Sequence, residues 1–421
     1  MTMRISTVTI FQQSVGSLNR QQADFMHLSQ QLASGRRVVS PSDDPQAASR
    51  AVAVGQAQAV TEQFADARVS ARNALSQEES VLNSINDAIS SAKALMVQAS
   101  NGTLSDADRQ SVASELRGIY ETVIGQANAT DGNGRYLFGG YQDSSEPFVD
   151  TGNGMTYQGD DRVRHQRVDA SREMPVGDSG RDIFLSVPAG AGYVAQQGNV
   201  DADGTVLGDN SGSVTFKGPQ VVDNSDPGFG QRYQVVFGED TDGNPTYSVK
   251  QQAEDGSWQS AGVDDQPYDV EGTSVEVGGL RLELQGEPAN GDSITYAPAR
   301  EMNTNLFHSF EKALAVLENP AETPTEQAAL KNTLSSVMRE FDASLDNVLT
   351  TRASVGARLN ELDVIDSVSS NRELNYSQTM SNLVDLDYNQ AIAEYSLRQV
   401  GMQAAQQAFI GIRDMSLFNY L

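Results

Sequence analysis

Apolar side chains spaced by seven at both ends of the chain constrain this sequence more than anything between them. Phe11, Leu18, Phe25 and Leu32 form one row, and Val8, Val15, Gln22 and Ser29 form a second. The combined gaps alternate between 3 and 4, the a/d seam of a coiled-coil helix, which Gln22 and Ser29 weaken at one end. The stretch "SGRRVVSPSDDP" then interrupts the pattern. Gly35 suits a helix end, Asp44 the cap of the next helix and Pro45 its first turn. A longer repeat follows through Phe64, Ala67, Ala71, Ala74, Glu78, Val81, Ile85, Ala88, Ala92, Leu95 and Ala99. Its roughly 55 helical residues would extend ~80 Å, which predicts a rod at this end. The alanines on the seam favour close approach of a partner helix. In "NGTLSDAD", Ser105 and Asp108 hold the capping-box positions of a third helix, carried by Val112, Leu116, Ile119 and Val123 to about Asn128.

The second half mirrors the first. Thr323, Pro324 and Glu326 are spaced as cap, first helical residue and capping-box acid. Leu330, Leu334, Val337, Phe341, Ser344, Val348, Thr351, Val355, Arg358, Leu362 and Ile365 then alternate by 4 and 3. A last helix carries Tyr395, Met402 and Phe409 spaced by seven, beside Ala405 and Ile412. Both termini are therefore expected in one bundle.

Between these flanks the composition changes. Of 36 glycines, 27 lie between Asp131 and Arg300, where the apolar period falls to two. "VEVGGLRLEL" reads as a hairpin about Gly278-Gly279, and "RYQVVFGEDTDGNPTYSV" as two strands about "DTDGNP". The expected insertion is all-β, a sandwich or small barrel holding the single tryptophan, Trp258. The fold class is thus mainly α, a rod-like helical bundle or coiled coil built from both chain ends with an inserted all-β domain. The expected division is 1–44 (first heptad helix and turn), 45–130 (long helices), 131–300 (β insertion), 301–375 (returning helices) and 376–421 (last heptad helix).

Candidate chemistry fails on its own requirements. With 29 basic against 56 acidic residues, the net charge of −27 argues against nucleic acid or an anionic membrane as partner. There is no cysteine, and His27, His165 and His308 stand too far apart in sequence to suggest a zinc site; each reads as an ordinary surface or core histidine. No apolar run approaches the ~20 residues of a membrane span, and the first residues lack the pattern of a usual secretory signal. "GDSG" at Gly177–Gly180 resembles a serine protease nucleophile motif, but no histidine has the flanking pattern of a base, so it reads as a turn. The glycines of "DGNG" and Gly139-Gly140 follow a helix and precede no Walker lysine. Asp240, Asp242 and Asn244 match the first ligand spacings of a calcium loop, but Pro245 and Gln251 occupy the positions that need Gly and Glu. No enzymatic function and no cofactor are expected.

The terminal helices remain the informative feature. Four seam residues cannot offset the entropy of ordering some 30, so these helices are expected to be frayed alone and ordered by neighbouring subunits.

The residues also match a family. "LASGRRVVSPSDDPQAASRA" resembles the N-terminal turn of bacterial flagellins and hook-associated proteins. "VGARLNELD" and "LDYNQAIAEYSLRQVGMQAAQQAF" resemble their two C-terminal helices. "ATDGNGRYLFGGYQDSSEPF", "VGDSGRDIF" and the ending "MSLFNYL" narrow the resemblance to the subfamily at the junction of hook and filament. It covers Met1–Tyr141 and Met302–Leu421 well, and the insertion less well, through "GEPANGDSITYAP".

This resemblance implies a structural subunit of the extracellular flagellum, exported through the flagellar type III apparatus without a cleavable signal. Its implied partners are identical subunits in a ring, hook-associated protein 1, flagellin and a cytoplasmic export chaperone on the C-terminal helix. It implies no nucleic acid and no membrane insertion. The implied assembly residues are Phe11, Val15, Leu18, Phe25, Leu32, Tyr395, Met402, Phe409 and Ile412. Arg36 and Arg37 in the turn would meet acidic residues, and Asp43 and Asp44 would cap the helix. Flagellin itself stays open as an alternative, although its ending and core exit fit less well. A secreted coiled-coil adhesin with a β head is the other alternative, and would need a signal or anchor.

Overall fold

The computed structural model describes residues 7–152, 154–188, 190–201, 203–302 and 304–414. It contains two compact units, one of Met1–Arg68 with Asp363–Leu421 and one of Val69–Leu362. Three helices open the chain: α1 (Thr7–Ser34), α2 (Pro45–Ala99) and α3 (Asp106–Ala127). Among the described residues thirteen strands follow, between β1 (Phe148–Asp150) and β13 (Asp292–Pro298), and then α4 (Leu306–Glu318), α5 (Pro324–Val384) and α6 (Tyr388–Asp414). Helices from both chain ends with an inserted β region are the expected architecture. No helix among the described residues is long and apolar enough to cross a membrane.

The caps lie where local chemistry requires them. Asp44 accepts the Ala47 N–H at 3.0 Å at the start of α2. Ser105 and Asp108 exchange side-chain and backbone bonds, each 3.2 Å, at the start of α3. Glu326 N–H donates to Thr323 Oγ1 at 3.2 Å, and Glu326 Oε2 accepts from Thr323 N–H at 2.8 Å. Each arrangement satisfies helix N–H groups that have no partner within the first turn.

In the Val69–Leu362 unit both long seams are covered. Ala71, Glu78, Val81, Ile85, Ala92, Leu95 and Ala99 of α2 are buried, as are Leu330, Leu334, Val337, Phe341, Ser344, Val348, Val355, Arg358 and Leu362 of α5. The sequence reading did not separate out α4, which Asn305 caps. Its Phe310 packs on Phe341 and Tyr120, with ring centroids at 4.7 and 5.3 Å.

The inserted region is a two-layered antiparallel sandwich with satellites. One sheet has the order β10 (Trp258–Pro267), β9 (Pro245–Gln252), β8 (Tyr233–Glu239), β13, β5 (Tyr193–Val200), β6 (Val206–Gly208). The other has the order β11 (Thr273–Val277), β12 (Leu280–Gln285), β7 (Thr215–Val221). Val235, Phe237, Val249, Ile294 and Tyr296 of the first face Phe216, Val275, Leu280, Leu282 and Leu284 of the second in one core. Gly278 and Gly279, at φ +61° and +72°, make the β11–β12 turn as expected. A Cβ at Gly279 would fall 1.8 Å from the Asp223 carbonyl oxygen. At the β8–β9 tip, Asp240 accepts the Asp242 and Asn244 N–H groups, each at 2.8 Å, so its carboxylate closes a turn. Two small hairpins, β1 with β2 (Met155–Tyr157) and β3 (His165–Asp169) with β4 (Arg172–Pro175), and a π-turn at Arg181–Leu185 complete the insertion.

A polar stripe on α5 holds this insertion. Asn332, 1% exposed, accepts the Phe216 N–H at 3.1 Å and donates to the Val214 carbonyl at 2.8 Å. It also donates to Gln197 of the other sheet, so one side-chain amide ties both layers to the helix. Ser336 donates to the Ala195 carbonyl on β5. Glu340, fully buried, receives Lys312 at 2.6 Å, Ser309 at 2.8 Å and Gln196 at 3.3 Å. Asn347 donates to the Asp182, Ile183 and Ser186 carbonyls around the π-turn. Asn332, Ser336 and Asn347 thus satisfy backbone groups, and Glu340 satisfies three side-chain donors.

Candidate assembly surface

The residues expected to mediate assembly lie on α1, α6 and the turn after α1, all within the unit formed by the two chain ends. The side chains of Phe11 and Ile412, and the ending "MSLFNYL", lie outside the described residues. The structure pairs α1 with α6. Phe25 packs on Tyr395 with ring centroids 4.7 Å apart. Arg398 bridges Asp24 at 3.0 Å and Glu394 at 2.6 Å. Val15, Leu18, Leu32, Met402 and Phe409 are half-buried.

The second row of α1 runs one position earlier than the sequence suggested. Gln22 and Ser29 are exposed, while Gln21 is half-buried and Leu28 is 5% exposed. Positions 28 and 29 flank the Phe25 row equally in sequence, and leucine gains more than serine from leaving water.

The core of this unit is thin. Among the described residues, only Leu28, Val38, Ala47 and Ala391 are buried apolar side chains in it. The far side of α6 instead exposes a second apolar set: Ile392 at 55%, Leu397 at 73%, Val400 at 63% and Ile410 at 47%. Ile392 and Ile410 are 18 residues apart, five full turns, so they share a face; Val400 and Leu397 follow within about 140° of it. The rows that sequence reasoning selected face each other within the chain, and this outer face went unnoticed. Its signal was a second set of aliphatic residues in a Gln-rich helix.

The turn is built from its own backbone. Gly35, at φ +71°, passes the Tyr388 hydroxyl so closely that a Cβ would lie 2.9 Å from it. Leu386 N–H donates to the Gly35 carbonyl at 3.0 Å, and Arg37 N–H to the Val384 carbonyl at 2.8 Å. The Arg37 guanidinium reaches Asp44 at 3.2 Å and the Leu383 carbonyl at 2.7 Å, so it clamps the turn within its own chain. Arg36 is exposed and makes no ion pair among the described residues. Asp44 caps α2. Asp43 instead closes the turn, accepting Val39 N–H at 2.9 Å, Ser40 N–H at 2.7 Å and His27 Nε2 at 3.0 Å.

These bonds, led by the Ser40 N–H and followed by the His27 ring, lower the Asp43 carboxyl from 3.8 to about 2, against partial desolvation. A carboxyl that titrates below its unfolded value near 3.9 stabilises the fold above about pH 4 and loses that contribution as pH falls toward 2. The Val39 and Ser40 amide resonances should therefore show a transition as the pH falls from 4 through about 2. In Asp43→Asn that transition should be absent.

The other motifs singled out in the sequence have structural roles among the described residues. Ser179 of "GDSG" is 1% exposed and accepts the Arg181 N–H at 3.2 Å, as a turn residue does. The histidines have separate partners: Asp43 for His27, the Val163 carbonyl for His165 and Glu311 for His308. Among the described residues, no three acidic or imidazole groups converge as a metal site.

Comparison with known proteins agrees with this geometry. Residues 5–143 match the bacterial flagellin N-terminal helical region. The chain is 32% identical to flagellar hook-associated protein 3 of Salmonella typhimurium over 417 residues, which covers 99% of both chains. The crystal structure of Xanthomonas campestris FlgL superposes with a TM-score of 0.63 at 27% identity, covering 78% of this chain and 99% of that one. The flagellar junction protein FlgL from Legionella pneumophila shares the fold, with a TM-score of 0.65 at 23% identity over 80% of this chain and all of that one. The chain belongs to the flagellar hook-associated protein 3 family, flagellin-like structural and non-enzymatic proteins of the extracellular flagellum.

Proposed function

We propose that this hook–filament junction protein assembles through the outer face of α6 together with the α1–α6 pair and the Ser34–Pro45 turn. Residues 1–44 and 376–421 act as assembly segments, and 45–130 with 301–375 as the helical core that carries the 131–300 insertion. Its neighbours in this reading are identical subunits in a ring, hook-associated protein 1 on the hook side and flagellin on the filament side. A cytoplasmic export chaperone covers the C-terminal helix before export.

The carrying observation is the exposed row Ile392, Leu397, Val400 and Ile410 on a helix whose opposite side already has a partner. Covering the exposed part of four such side chains contributes up to about 4–7 kcal/mol per subunit. Charge supports the same reading. Met1–Arg68 and Asp363–Leu421 together hold 9 basic and 12 acidic residues, against 20 and 44 in Val69–Leu362. The unit that contains the assembly segments is nearly neutral and can crowd together with little repulsion, while the acidic remainder favours solubility before assembly.

The double variant Leu397→Asp, Val400→Asp tests this. Helical circular dichroism and the unfolding midpoint of the monomer should be unchanged, because both positions are exposed. Incorporation at the junction, read by immunogold labelling of isolated flagella, should fall below detection. Normal labelling would sink the proposal.

A further inference from the structure

Glu78 occupies a seam position of α2, is 2% exposed, and completes no hydrogen bond through either carboxylate oxygen. A buried carboxylate without partners is costly. The carboxylate that acts on it is that of Asp178 in the Gly177–Gly180 turn, whose negative charge opposes ionisation of Glu78. Asp178 is itself paired with Arg358 of α5. Arg358 also donates to the Pro175 and Gly177 carbonyls at 3.4 and 3.5 Å, so the guanidinium grips the whole turn. Two ionised carboxylates cannot hydrogen-bond to each other, whereas one carboxylic acid and one carboxylate can.

We propose that Glu78, Asp178 and Arg358 form a proton-dependent latch: protonated Glu78 donates its O–H to Asp178, which Arg358 holds from α5, and loss of that proton loosens the turn and the adjoining π-turn. In the step, the Glu78 proton passes to water or hydroxide, and the two like charges left in contact repel. The surrounding groups do not remove this repulsion. Glu79, next on α2, lies 3.9 Å from Arg352 of α5. Arg172 of β4 is committed to Glu361. Asp182 of the π-turn, whose carboxyl is raised by burial first and then by Asp161 and Asp178, brings no positive charge. Arg181 pairs with Asp161 at 2.8 Å. Burial first, and then Asp178, push the Glu78 carboxyl from 4.5 up to about 8, against the attraction of Arg358.

Amide-exchange protection factors of the full-length protein test the latch, since they remove the intrinsic pH dependence of exchange. Protection across residues 177–186 should fall about tenfold between pH 6 and 9, as expected one unit above the transition, while protection in the β8–β13 pair stays constant. In Glu78→Gln, whose amide also donates to Asp178 but carries no charge, protection should be flat over that range. A pH-independent wild type, or a Glu78→Gln protein that keeps the dependence, overturns the proposal. Infrared spectroscopy of the unmutated protein gives an independent reading in case the variant does not fold. Specific 13C labelling of glutamate side chains should show a protonated carboxylic acid band at pH 7 that bleaches by pH 9, and its absence at pH 7 also overturns the latch.

Discussion

Removal of residues 1–35 and 387–421 should abolish incorporation at the hook–filament junction while moving the unfolding midpoint of the Val69–Leu362 unit by no more than about 2 °C. That limit corresponds to roughly 1 kcal/mol in a unit of this size. The reason is the uneven distribution of buried side chains. The deleted segments contain only two fully covered apolar residues among those described, Leu28 and Ala391. Their larger side chains, Leu18, Phe25, Tyr395 and Met402, stay half-buried. Phe138, Phe148, Phe184, Phe307, Phe310 and Phe341, each at most 1% exposed, all lie in Val69–Leu362. Scanning calorimetry of both forms measures the midpoint, and co-sedimentation with flagella from a strain lacking the native protein measures incorporation. A midpoint lowered by more than about 5 °C would make the termini part of the folding core. Retained incorporation would remove them from the interface.

The largest effect of a single substitution on stability is expected at Asn332. In Asn332→Ala, the Phe216 N–H and the Val214 carbonyl lose their partner in a buried place. Each orphaned group costs about 1–3 kcal/mol, so the variant should lose about 2–6 kcal/mol from the Val69–Leu362 unit. The loss is not offset by hydrophobic gain, because alanine is too small to fill the space between β5 and β7. Asn332→Asp separates the two bonds. It keeps an acceptor for Phe216 but loses the donor to Val214, and places two oxygens against that carbonyl and Gln197, so it should destabilise at least as much. Urea denaturation followed by the fluorescence of Trp258 on β10 reads the sandwich directly. An Asn332→Ala midpoint equal to that of the unmutated protein would show that α5 does not hold the two sheets together.

These two experiments also separate what was legible in the residues from what was not. The heptad rows at 64–99 and 330–365 proved to be covered helix faces, because burial on a helix follows from the 3.6-residue turn and recurs locally. Caps at Asp44, Ser105 and Thr323 were readable because the first helical N–H groups demand an acceptor within three residues. Gly278-Gly279 was readable because that hairpin turn needs positive φ at both positions. The small hairpins β1–β2 and β3–β4 were missed, since strands of three to five residues carry too short an alternation to register.

Of the assembly surface, the sequence indicated the helices but not the uncovered side. Periodicity marks a face of a helix without naming what covers it. The Phe25 row faces Tyr395 of the same chain, and only the paired structure leaves Leu397 and Val400 as the open side. Arg37 looked like a group awaiting a neighbour, yet it clamps Asp44 and the Leu383 carbonyl. Leu383 lies 346 residues away, a separation that no local pattern spans.

What the amino-acid sequence determined by itself was therefore local: helix rows, their caps, the tight turns and the change of period that marks the insertion. What only the tertiary structure decided was partnership. Asn332, Ser336, Glu340 and Asn347 look in sequence like polar faults beside an apolar stripe, but each meets a backbone or charged group brought to it by folding. Glu78 reads in sequence as one polar member of an apolar row, and the Asp178 charge that acts on it stands 100 positions later in the chain. The physical reason is common to these cases. A hydrogen bond or a desolvated charge depends on what lies within a few ångströms, and for these residues that neighbour is remote in the chain.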